Sequence, residues 1–420
     1  MRFGSDLLTD RSLWPKSNNM TDTALAPIGR DLKIMGLVGT AHAASHFFHL
    51  VLPPLFPILK DEFGVSYTEL GLLPSLFFAA SGFGQSVAGF LVDHYGARRI
   101  LLIGLSILSL AVIGYAMVGA FWMLIPLSIL AGLGNAVFHP ADLSILTSKV
   151  SPGRLGRAYG THAISGNLGW AAAPALMITL AHFADWRTAV IVAGCIGLAI
   201  VAAFLIWGRD LADERQLDES GGHPRGLPTL ADVRLLFSAT ILSCFAYFTF
   251  LAAALIGVQT FGVTAMVAIY EVKIETATAA LTAFLLGSAS GILLGGIAAD
   301  RTSRHDLIAM GGMIAAAIAF AGIGLGLPPT YLLIAALAVA GFLSGTTSPS
   351  RDMLVRKAAP KGASGRVFGF VYSGLDLGSA VMPLALGILM DNDRPDLIFL
   401  SVSGFLIVTA ATVIEVRKRR

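Results

Sequence analysis

The sequence predicts an all-α membrane protein with twelve transmembrane helices in two six-helix bundles related by a pseudo-two-fold axis. Three observations lead there. Of 420 residues, 55% are hydrophobic and only 13% charged, and mean hydropathy is +0.75; a soluble chain of this length needs far more charge to wet its surface. Apolar runs recur at about twenty residues, the length that crosses a hydrocarbon core as a helix. The third observation is internal repetition.

Pro140, Gly156, Arg157, Gly160, Leu168, Gly169 and Pro174 recur at one constant offset as Pro349, Gly365, Arg366, Gly369, Leu377, Gly378 and Pro383. A polar turn between two apolar runs, Gly89-Phe90-Leu91-Val92-Asp93-His94-Tyr95-Gly96-Ala97-Arg98-Arg99, has a weaker copy in which Gly296, Asp300, Arg301 and Ser303 take the places of Gly89, Asp93, His94 and Gly96. Six spans repeated in the same orientation give two bundles about an axis along the membrane normal. The spans are expected at 34–59, 70–92, 100–119, 121–146, 158–181 and 188–207, then 235–263, 279–299, 307–327, 331–355, 367–390 and 397–416.

The resulting organisation is a polar tail (1–33), a first bundle (34–208), a charged connector (209–234), a second bundle (235–416) and a basic tail (417–420). Met20 is an alternative start, and the first thirty residues lack the order of a signal peptide. Cys195 and Cys244 both fall inside apolar runs, which argues against a disulfide framework. A net charge of +3 gives no sign of a nucleic-acid partner. Its placement is informative. Arg30, Lys33, Arg98, Arg99, Lys149, Arg154, Arg157, Arg301, Arg304, the connector and the tail gather on one side, against Lys60, Arg187, Lys273 and Arg394 on the other. This bias puts both termini in the cytoplasm, and the expected location is a bacterial inner membrane.

At this point the chain resembles the major facilitator superfamily of secondary transporters. Gly89-x-x-x-Asp93-x-x-Gly96-x-Arg98-Arg99 is similar to that family's signature between its second and third helices. Gly134-Asn135-Ala136-Val137-Phe138-His139-Pro140, with a histidine-bearing first span, resembles the fosmidomycin-resistance branch of efflux proteins. The resemblance implies alternating access by a monomer, with a cytoplasmic gate in which Asp142 pairs with Arg98. By the same analogy Gly89, Asp93, Gly96, Asp300, Arg301 and Arg351 belong to that gate. Ala173 stands before Pro174 where the antiporter pattern prefers glycine, so export and uptake both stay open.

The chemistry-bearing residues lie deeper. His42, His46 and His49 share one face of the first helix at i, i+4 and i+7. Imidazoles facing lipid are wasteful, so this face looks into the bundle, either for substrate and proton handling or for interhelical hydrogen bonds. Asn135, His139 and Asp142 form a second such row. Asp376 sits mid-span between Gly374 and Gly378, where a carboxylate is costly and marks a coupling or binding site; its repeat counterpart is Asn167. A structural bond from Asp376 to Arg351 is the other reading, and Arg351, the counterpart of Asp142, has Asp300 or Asp352 as alternative partners. His162, Gln259 and Tyr372 complete the cavity candidates, each with a plain packing alternative.

The function these features support is proton-coupled export of a small organic compound, such as an antibiotic-like one. The alternative is proton-coupled uptake of a small organic acid. Transition-metal export is a weaker reading: His42 and His46, joined by His139 and His162, offer imidazoles, but Cys pairs are absent and carboxylates few. A membrane-embedded enzyme is weaker still. The expected partners are a small-molecule substrate, protons and the bilayer. No cofactor or bound metal is expected, and Gly132-x-Gly134 lies inside a span rather than in a nucleotide loop.

Overall fold

The computed structural model describes residues 27–211, 236–358 and 364–418, and its long elements are all helices. The first half carries α1 (Ile28–His49), α2 (Phe56–Phe63), α3 (Tyr67–Tyr95), α4 (Ala97–Tyr115), α5 (Leu124–Asn135), α6 (Phe138–Lys149), α7 (Leu155–Phe183) and α8 (Trp186–Trp207). The second carries α9 (Ala239–Tyr270), α10 (Ile274–Asp300), α11 (His305–Gly324), α12 (Leu333–Thr346), α13 (Ser348–Ala358), α14 (Ser364–Asp391) and α15 (Asp396–Lys418). Of the expected segments, most of the 1–33 tail and of the 209–234 connector lies outside the described residues.

Among the described residues, ten helical stretches are long and apolar enough to cross a membrane, or eleven when the bent α3 counts as one span. The remaining expected span is α1, whose His42, Ser45, His46 and His49 lower its hydropathy. The first span does not run unbroken to residue 59: α1 stops at His49, and Pro53-Pro54 open a 3-10 turn before α2. Proline lacks the N–H that a continuing helix requires. Helix also begins earlier than expected, at Ile28, inside the segment assigned to the tail.

Proline breaks the fourth span of each half. Pro140 cannot donate to the carbonyl four residues back, and α5 gives way to α6 at Ala136–Val137. Pro349 does the same in the repeat, parting α12 from α13 at Thr347. The duplication also governs packing. A Cβ on Gly169 of α7 would strike the backbone carbonyl of Ala43 in α1, and one on Gly378 of α14 would strike that of Thr249 in α9. Each half thus seats its fifth span on its first through a glycine, letting backbones approach closely.

The halves meet along α3 with α14 and α7 with α10. Ser66 caps α3, accepting from Glu69 N at 3.1 Å while Ser66 N donates to Glu69 Oε2 at 2.8 Å. Asp391, at the end of α14, caps the same helix from the other half, accepting from Tyr67 N at 2.7 Å and Thr68 N at 2.8 Å. Below it, Gly387 leaves room for Tyr67 and Thr68, Gly71 for Pro383, and Gly82 for Asp376. His182 of α7 faces Glu275 of α10 at 3.3 Å. These contacts run from the Ser66–Asp391 end, here the capped end, to the depth of Gly82. The arginine-bearing turns at the opposite, basic end take no part in them.

Candidate functional site

Inside the first half, α1, α5, α6 and α7 bring seven of the expected residues into one cluster. His42 stacks on His162 with ring centroids 3.5 Å apart, His46 lies 4.4 Å from His42, and His139 lies 5.3 Å from it. Gly166 makes this possible, since a Cβ there would come within 2.5 Å of His46 Nδ1 and 2.9 Å of His42 Nε2. Trp170, one turn along α7, stacks on His46 at 4.1 Å.

The hydrogen bonds fix one tautomer. Trp170 Nε1 donates to His49 Nδ1 at 3.2 Å, so the ring proton sits on Nε2, which donates to Asn135 Oδ1 at 3.2 Å. Ser45 Oγ donates to the same oxygen at 2.6 Å, and Asn135 Nδ2 donates to Ser81 Oγ of α3 at 2.9 Å. Asn135 therefore ties α1, α3 and α5 together at the very point where the fourth span breaks.

Asp142 is fully buried, and its location corrects the sequence reading. Its Oδ2 is bonded to His162 Nε2 at 3.1 Å and lies 3.4 Å from His42 Nδ1. It joins the histidines rather than Arg98, whose Nη2 donates to the Phe204 carbonyl at 3.2 Å. Asp142 lies about one turn beyond His139 on α6. Asp142 Oδ1, His42 Nδ1 and His46 Nδ1 are buried without hydrogen-bond partners. His139, in contrast, is exposed, and forms the open side of the cluster.

Other expected residues are not brought to this cluster. Asn167 turns back on its own helix, donating to Ala163 O at 3.0 Å. Gln259 is buried in α9 of the other half. Tyr372 donates to Asp352 Oδ1 at 3.1 Å, and Arg351 pairs with Asp352 at 2.8 Å while lying 4.7 Å over the Phe248 ring. Arg351 is thus not bonded to Asp376. Asp376 is half-buried on α14 against Gly82 of α3 and has no hydrogen bond or ion pair among the described residues. Of the turn, Gly96 needs its residue type, having φ of +89°. Gly89 has nothing near its missing Cβ, and Asp93 and Arg301 are exposed. The Asp300 side chain lies outside those described.

Ser81, the partner of Asn135, and the Asp391 cap are not among the residues expected from the sequence. Neither carries a local signal. Asp391 and Thr68 stand 323 positions apart.

Two helical halves, a broken fourth span in each, and a polar cluster inside the first half are the architecture of a membrane transporter. The family model for the Major Facilitator Superfamily matches residues 38–274 and 236–420, and the chain belongs to that family. Among its relatives, the fosmidomycin resistance protein of Escherichia coli (strain K12) is 23% identical over 89% of this chain and 90% of its own length. The uncharacterized MFS-type transporter YfnC of Bacillus subtilis (strain 168) is 27% identical over 89% and 91%. The fold is shared with a mutant of the nucleoside transporter NupG (TM-score 0.74, 15% identity, covering 92% of this chain and 98% of that one). It is shared too with a bacterial homologue of the human lysosomal transporter Spinster, inward-facing and occupied (TM-score 0.72, 15% identity, 92% and 96%).

Proposed function

We propose that this chain is a secondary active transporter that works by alternating access and exports a small organic compound in exchange for protons. The observation that carries the reading is Asp376: a carboxyl without a partner, at membrane depth, on the seam between the halves. An ionised carboxylate is costly in a closed apolar seam and is hydrated when the seam parts. Closing α3 against α14 therefore favours the neutral acid, which couples the protonation of Asp376 to the rocking of the halves. The rocking bodies are residues 34–208 and 235–416, joined by 209–234.

The histidine cluster of the first half supplies the substrate contacts. His46 and Trp170 offer a stacked aromatic wall, Asn135 and His49 an amide and an imidazole, and exposed His139 the point of entry. Likeness to the fosmidomycin resistance protein supports export of a drug-like molecule over uptake of an organic acid. With the basic end in the cytoplasm of a bacterial inner membrane, the capped end faces outward and is closed. The turns at Gly89–Arg98 and Arg301, with Arg351, then line the cytoplasmic mouth. The chain acts as a monomer.

Transport into proteoliposomes across a panel of organic compounds, with pH gradients of either sign, tests this. Accumulation should reverse with the gradient, and Asp376→Asn should abolish the gradient dependence while leaving downhill counterflow. Accumulation indifferent to pH in the unaltered protein would remove the coupling.

A further inference from the structure

The buried atoms of the histidine cluster that lack partners call for a ligand. We infer that His42, His139 and His162, with Asp142, bind one divalent transition-metal ion of the zinc class inside the first half. A ring nitrogen of each histidine lies within 4.8 Å of the other two. Tetrahedral bonds of about 2.0–2.1 Å require ligand atoms roughly 3.3 Å apart, so the site closes on an ion by rotamer adjustments of about 1.5 Å. Asp142 Oδ2 already touches two of the three rings, at 3.1 Å and 3.4 Å.

Two further observations point to a ligand. Asp142 and His42 are 0% and 3% exposed, yet Asp142 Oδ1 and His42 Nδ1 have no hydrogen-bond partner, and buried polar atoms are ordinarily satisfied. A cation accepts both the carboxylate lone pair and the imidazole lone pair at once. The rings are also already gathered: Gly166 lets His42 and His46 close in, and His42 turns out of its stack on His162 to present a nitrogen edge-on to the ion. Only His139 is exposed, which supplies an entry path.

The donor set selects the ion. Three imidazoles with one carboxylate suit zinc, cobalt or nickel, whereas calcium and magnesium take shells of oxygen. Cys pairs are absent, as the sequence shows, but α6 brings the Asp142 carboxylate to the same point as the rings. All four ligands belong to one half, so the ion does not bridge the seam. The inference concerns ion binding alone and stands whether or not Asp376 carries protons.

The test uses the full chain purified in detergent with an affinity tag free of histidine, titrated with cobalt(II) alone and back-titrated with zinc(II). The expected result is one equivalent bound, with the intense visible bands of tetrahedral cobalt that zinc then displaces. His162→Ala should weaken binding by at least about tenfold. His139→Gln guards against misfolding, because this exposed ring makes no hydrogen bond among the described residues, and it should weaken binding to a similar degree. His182→Ala, at the α7–α10 seam, should leave binding unchanged. Absence of a stoichiometric site, or retention of full affinity in a monodisperse His139→Gln protein, overturns the inference.

Discussion

If the capped end is a gate, a methyl group placed at Gly387 should open it. A Cβ there would stand 2.6 Å from the Tyr67 carbonyl oxygen, 2.7 Å from Thr68 Cα and 2.9 Å from Thr68 N. All three are backbone atoms, so no side chain can swing aside. Restoring ordinary contact requires α3 and α14 to part by roughly 0.7 Å, and overpacking of this kind costs about 1–3 kcal/mol. That cost falls only on the state in which the two ends touch. The gain in helix propensity of alanine over glycine, up to about 1 kcal/mol, is common to both states and cancels. Gly387→Ala should therefore shift the population toward the form open at the capped end by a factor of about 5–150. Parting also lengthens the Asp391 bonds to Tyr67 and Thr68, which adds to the shift. The assay is electron-spin distance measurement between labels at Asp61 and Asn392, both exposed at the capped end, after Cys195 and Cys244 are replaced by serine. A longer distance should grow at the expense of the short one. An unchanged distribution would refute the gate, since the contact would then persist in every state sampled.

Other expectations follow from the same contacts. Gly169→Val should lower the melting temperature in detergent, at a cost of about 1–3 kcal/mol, because its Cβ meets the Ala43 carbonyl, whereas Gly89→Ala, with nothing within 4 Å, should not lower it. Trp170→Phe keeps the stack on His46 but removes the bond to His49, and should weaken substrate binding rather than stability, read by tryptophan-independent binding calorimetry. At the start of α1, ahead of the apolar run, Asp31 pairs with Arg154 at 2.7 Å. Burial opposes its charge, but the Arg154 guanidinium and Ser151 outweigh that and hold its carboxyl below the ordinary value of 3.8. A lowered pKa stabilises the fold above the unfolded value and is lost as pH falls through the folded one. Asp31→Asn should thus cost about 1–2 kcal/mol at pH 6, and thermal unfolding should show the gap closing as pH drops below about 4.

Much of the architecture was legible because its causes are local. Membrane length, proline breaks and the Gly169–Gly378 correspondence all leave marks in the linear order of residues. His42, His46 and His49 could be put on one inward face because helical periodicity alone demands it. The Asp142 pairing could not be read correctly. Analogy matched it with Arg98 near the basic end, but the packing of α6 on α7 brings the carboxylate to His162, a partner twenty positions away on another helix. Asp376 was recognisable as a costly residue, yet its position on the seam depends on Gly82 of the other half.

By itself, then, the sequence determined that this is a duplicated membrane transporter, where most of its spans lie and which residues share a polar face. Composition, helical period and proline act within a few residues and need no folded partner. Only the tertiary structure decided who meets whom: Asp142 with the imidazoles, Asn135 with Ser45, His49 and Ser81, Asp391 with the start of α3, and Asp376 with Gly82. Those contacts join helices far apart in the chain, and their distances arise from backbone approach through glycines, which no periodicity encodes.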